Sequence, residues 1–123
     1  MTSDINKLIE EIKKFHDERD WDQFHNPKDI FIALVSEIGE LAECYRWLNE
    51  KEISIIHTDL DKKKKVEEEI ADIMVYLLTL AYKTNIDIVK VIEEKLEKNK
   101  KKYPVEKAKG KHSNFIEGFK GRE

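Results

Sequence analysis

The chain is poor in the residues that build turns and cross-links. Of 123 residues, four are glycine, two are proline and one is cysteine. So few turn formers exclude an all-β fold, which needs a reversal about every ten residues. A single thiol, Cys44, excludes an intramolecular disulfide and fits a reducing compartment, so a cytoplasmic protein is expected. No apolar run approaches the roughly 20 residues of a membrane span. Met1-Thr2-Ser3-Asp4 has no basic stretch leading into an apolar one, so no secretion signal is expected. Positive charge is not in excess either. The formal net charge is −3, which argues against nucleic acid as a partner.

What is abundant is charge and aliphatic bulk. Charged residues make up 40% of the chain and apolar residues another 40%. That balance predicts an all-α protein, and the length suits one domain with one core. Ile5, Leu8, Ile9, Ile12 and Phe15 recur at helical spacing and predict a first helix to about Arg19. Asn26-Pro27 is a helix start, with a capping side chain followed by a residue tolerated in the first turn. A second helix is expected over 27–48, with Ile30, Leu34, Ile38, Leu41, Tyr45 and Leu48 inward. Residues 49–60 read as a connection, with Asn49 at the stop and Thr58 or Asp59 at the next start. The third helix, 61–83, carries Val66, Ile70, Ile73, Leu77 and Leu80, widened by Met74, Leu78 and Ala81, and Asn85 can stop it. A fourth runs over 87–102, ended by Pro104. The expected architecture is a four-helix bundle over 1–104 with a basic tail, 105–123, that looks loosely ordered.

The informative feature is a repeat. Glu37-Ile38-Gly39-Glu40-Leu41 and Glu69-Ile70-Ala71-Asp72-Ile73 both read acid, aliphatic, small, acid, aliphatic. Acids three apart share one helix face. Each acid directly precedes an inward residue, so it sits at the border of the core. Glu37, Glu40, Glu69 and Asp72 would repel one another there unless a cation neutralised them. Oxygen-only ligands suit Mg2+ or Mn2+. No histidine follows at helical spacing, which argues against di-iron chemistry. Gly39 suggests a close approach by a helix or ligand. The plainer alternative is a solvated acidic face, and that is how Glu43, Glu67 and Glu68 are read. His16, His57 and His112 have no visible partner and read as surface residues.

Glu37-x-x-Glu40, 28 intervening residues and Glu69-x-x-Asp72 resemble the signature of the MazG-like nucleoside triphosphate pyrophosphohydrolases. The resemblance is closer to the dCTP pyrophosphatase branch. It extends through Glu18-Arg19-Asp20-Trp21-Asp22-Gln23-Phe24-His25, Trp47, Lys95, Asn99 and Tyr103-Pro104, from about residue 15 to 104. It implies an all-α enzyme that converts a nucleoside triphosphate, dCTP or a related pyrimidine deoxynucleotide, to the monophosphate and pyrophosphate with Mg2+. It implies a homodimer or homotetramer with sites between subunits. By position, Glu37, Glu40, Glu69 and Asp72 take the metal. Trp21, His25 and Trp47 surround base and sugar, and Lys95, Asn99 and Tyr103 hold phosphates. Glu40 is the expected base for the attacking water, with Glu37 beside it as a second catalytic acid. The sequence departs from the pattern at 49–60 and in the upstream part of the first helix. The alternatives are a nucleotide-binding sensor without turnover and a structural bundle, in which the tryptophans are core and the lysines a solvated face.

Overall fold

The computed structural model describes residues 4–110. Among them every regular element is helical: α1 Asp4–Glu18, a 3-10 turn Asp22–Phe24, α2 Pro27–Tyr45, α3 Glu50–Ile56, α4 Leu60–Lys83, α5 Ile88–Lys102 and α6 Val105–Ala108. The protein is all-α, and its four long helices are those expected from periodicity. No described helix is long and apolar enough to cross a membrane. The chain divides into two units, Met1–Asp87 and Ile88–Glu123.

Local chemistry sets the helix ends in the first unit. The Asn26 side chain accepts from the Asp29 amide at 2.9 Å, with Pro27 in the first turn. Asp59 accepts from the amides of Asp61 and Lys62, both at 3.1 Å, and so opens α4. Asp20 and Asn85 adopt left-handed φ of 55° and 58°, a region these two residue types tolerate, and they end α1 and α4.

The connection at 49–60 is itself helical. Asn49 accepts from the Glu52 amide at 2.9 Å, and the Glu52 carboxylate accepts from the Asn49 amide at 3.2 Å. This reciprocal cap makes Asn49 a start as well as a stop. Tyr45 Oη lies 2.8 Å from His57 Nε2, which ties the end of α3 to α2. His57 is therefore partnered, contrary to expectation.

In this unit α2 packs along α4, and α1 contacts α4 and the 3-10 turn. Ile9, Ile30, Leu34, Ile56, Val66, Leu78 and Ala81 form the buried apolar core. Ile38, Ile70, Met74 and Leu77, expected inward, are exposed on α2 and α4. One chain thus covers only part of the apolar surface its periodicity lays down. Gly39 differs too: a Cβ built there meets nothing within 4 Å, so no close approach is made to it within the chain. It lies on the exposed side of α2.

In the second unit, α5 has no fully buried residue, and Val91, Ile92 and Leu96 are exposed. The Tyr103 amide donates to the Asn99 carbonyl at 2.8 Å. Val105–Ala108, expected to be loose, form a short helix. Residues 111–123, and with them His112, lie outside the described residues.

Candidate metal centre

Packing of α2 along α4 brings the two acidic copies together. Glu37, Glu40 and Glu69 each offer an oxygen, and these oxygens lie within 4.8 Å of one another. Glu69 is 3% exposed, Glu37 is half-buried and Glu40 faces solvent. Asp72 is exposed and outside that trio, close enough for its charge to act on Glu37.

Two buried oxygens, Glu37 Oε2 and Glu69 Oε2, have no hydrogen-bond partner. Two carboxylates can only accept, so neither satisfies the other. A proton held between the two carboxyls would relieve this in part. The hydrogen bond to Glu69, then burial, then the charges of Glu40 and Asp72 push the Glu37 carboxyl up to about 7. Glu69 moves the other way. The Lys65 ammonium lies 2.8 Å from Glu69 Oε1 and holds that carboxyl below its ordinary value. Lys65 was hidden in the sequence by the lysine run 62–65, although its spacing of four before Glu69 suits a helical ion pair.

A second polar cluster lies at the other end of α4. His16 is buried, 6% exposed, and its Nδ1 is 2.9 Å from Tyr82 Oη. It was expected at the surface. The His25 ring stands edge-on to it at 4.4 Å, and His25 Nδ1 is buried without a partner. Lys83 Nζ donates to Asp22 Oδ1 at 3.0 Å, which pins the 3-10 turn to α4. Trp21, 44% exposed, packs edge-on to Phe15 at 5.6 Å. Burial, with the charges of Asp22 and Asp17, pushes the Tyr82 hydroxyl up to about 12. Burial and the neighbouring His25 lower the His16 pKa.

Trp21 and His25 are therefore not beside the acids. Tyr82 follows Glu69 by thirteen residues of one helix, about 20 Å of rise. Trp47 lies just past the end of α2, 77% exposed under the Arg46 guanidinium, 4.5 Å from its ring centre. Lys95, Asn99 and Tyr103 belong to the second unit, where Lys95 is exposed and the other two are half-buried. Between α2, α3 and the start of α4 there is a half-open cavity of about 370 Å³, lined by Cys44, Leu48, Glu52, Ile55, Ile56 and Lys62.

Residues 32–117 match the MazG-like family. The chain belongs to that family. It is 32% identical over 113 residues to dCTP pyrophosphatase 1 of Rattus norvegicus and, equally, to that of Homo sapiens. Each match covers 89% of this chain and 66% of the relative, so the chain spans just under two thirds of their length. A crystal structure of a pyrophosphatase from Archaeoglobus fulgidus superposes with a TM-score of 0.74 at 32% identity, covering 85% of this chain and 95% of that one. The matched span of this MazG-like chain includes both acidic copies and Lys65.

Proposed function

We propose that this MazG-like chain hydrolyses a nucleoside triphosphate, dCTP or a related pyrimidine deoxynucleotide, to the monophosphate and pyrophosphate. The observation that carries the proposal is the converged trio Glu37, Glu40 and Glu69 with two buried oxygens left unpartnered. That oxygen-only donor set fits a hard divalent cation, Mg2+ or Mn2+. Glu37, Glu40 and Glu69 would hold it, with Asp72 completing the set. When bound, it neutralises phosphate charge and acidifies a water.

The side chains supply the rest. Glu40 is the most exposed of the trio and has room to accept a proton from the attacking water. One water is consumed as the α–β phosphate link breaks, and its second proton ends on the products or the solvent. Glu37 and Glu69, anchored on packed helices, fix the geometry, so catalysis is mainly positioning and charge neutralisation. Trp47 can stack on a base, and Lys95, Asn99 and Tyr103 can donate to phosphate oxygens.

We also propose a homodimer or homotetramer whose sites lie between subunits. Trp21 and His25 sit about half the length of α4 from the acids of their own chain, so a nucleotide that meets both draws on a second copy. The exposed Ile38, Ile70, Met74 and Leu77 beside the acids offer the apolar surface such a contact would bury.

The test is a pyrophosphate assay over pyrimidine and purine triphosphates with Mg2+. Release of pyrophosphate and monophosphate in equal amounts is the expected result. Tight nucleotide binding without product would instead make the chain a sensor.

A further inference from the structure

We infer that Lys65 is the resident counter-cation of the acidic cluster: it holds Glu69 until a divalent cation replaces it, and the freed ammonium then turns to the triphosphate. This rests on the reading of the cluster as a metal centre.

The ion pair is asymmetric. Glu69 is almost wholly buried, whereas the Lys65 side chain is 60% exposed. The carboxylate is fixed and the ammonium is free to leave along the surface of α4. Lys65 occupies Oε1 of the most buried residue of the trio, at 2.8 Å. A divalent cation about 2.1 Å from that same oxygen would lie within about 5 Å of the ammonium. Two cations that close repel, so one must yield. The lysine yields at little cost, since its stem is already in water.

The consequence is coupling. Without nucleotide, Lys65 competes with the metal, and a freed ammonium gains nothing but water. With nucleotide, the phosphate chain offers it an anion, so triphosphate binding removes the competitor. Metal and triphosphate therefore help each other bind, by the same factor in each direction. Lys65 is a positioning residue in this scheme, acting through Glu69 and the phosphates.

The experiment is calorimetric titration of Mg2+ and Mn2+ into the full chain without nucleotide, for wild type, Lys65→Met and Lys65→Arg. Removing the competitor should tighten metal binding about 5-fold or more, and the arginine variant should stay near wild type. The advantage of metal plus nucleotide over metal alone should shrink in Lys65→Met. A lysine that merely stabilised its helix would lower the melting temperature and leave metal affinity unchanged or weaker. Equal affinity in wild type and Lys65→Met therefore overturns the inference and leaves the metal centre standing. No metal binding in either protein overturns the metal centre itself, and this inference with it. A second measurement needs no variant. Reductive methylation of the wild type, read by mass spectrometry, should label Lys65 faster when Mg2+ is added, relative to Lys62 and Lys63. An unchanged or slower rate counts against displacement.

Discussion

Helix α4 carries two polar clusters, and they are built to opposite rules. At the C-terminal end, polar groups mostly find one another: His16 meets Tyr82, and Lys83 meets Asp22, with His25 Nδ1 the exception. At the N-terminal end, three carboxylates crowd together and two buried oxygens go without partners. A fold can keep the first kind of cluster for its own stability, because a satisfied buried network is favourable. The second kind costs stability unless something outside the chain completes it. The difference makes the acidic end the candidate for the chemistry, and His16 with Tyr82 a support for the fold.

The sharpest way to break that contrast is Glu69→Gln. The variant keeps the size and loses the charge. Turnover should fall by more than about 100-fold, since even the outer partners of metal ligands cost 10- to 100-fold. The helical circular dichroism should persist. Pyrophosphate release at the wild-type rate would remove Glu69 from the centre.

Trp47 and His16 extend the contrast. Trp47 touches solvent over most of its surface, so Trp47→Ala should leave stability within about 0.5 kcal/mol of wild type. Loss of base stacking, worth about 1–3 kcal/mol, should appear instead as a raised KM or a weaker nucleotide Kd. His16→Ala should do the reverse. It strands the Tyr82 hydroxyl and opens the space beside His25, at a cost of about 1–3 kcal/mol. Thermal denaturation should show the loss, while turnover per folded molecule stays within a few-fold. A His16→Ala protein that is as stable as wild type and inactive would put the histidine end in the catalytic machinery.

How much of this was written legibly in the chain depends on the range of the interaction. Asn26, Asp59 and Asn85 act on residues within one turn, so the start of α2 and both ends of α4 could be read from neighbours alone, whereas α2 stops at Tyr45, three residues before the expected Leu48. The paired acids were legible because the pattern occurs twice in the same relation to the apolar stripe. Asn49 misled because one residue type can stop a helix or cap the next. Its partner Glu52, three residues on, was the signal for α3. His16 follows Ile5, Ile9 and Ile12 at steps of four, three and four, so it lies on the buried face. Phe15 and Leu8, equally apolar in pattern, lie one position round the helix and are about half exposed. The partner that makes a buried histidine tolerable, Tyr82, is 66 residues away, and no local pattern announces it. Lys65 was within reach of an i,i+4 rule, but nothing in a run of four lysines says which one meets a buried acid.

The dependence on pH separates the two clusters by sign. The Glu37 carboxyl has an unperturbed value of 4.5 and is raised to about 7 in the fold. Between those values the folded chain binds more protons than the unfolded one, so this group makes the metal-free protein less stable as pH rises from 4.5 to 7. His16 is lowered from 6.5, so the folded chain binds fewer protons there, and its contribution increases as pH rises towards 6.5. Melting curves of the metal-free protein over pH 4.5–7 should therefore combine a fall from the acidic end with a rise from the histidine end. Glu37→Gln should remove the fall and leave the rise, and His16→Asn should do the opposite. Saturating Mg2+ should also abolish the fall, because a bound cation favours the ionised Glu37 and expels its proton. Metal affinity should accordingly climb with pH up to about 7. A metal-free stability profile identical in wild type and Glu37→Gln would mean that the acids do not crowd in solution, and the contrast between the two ends of α4 would go with it.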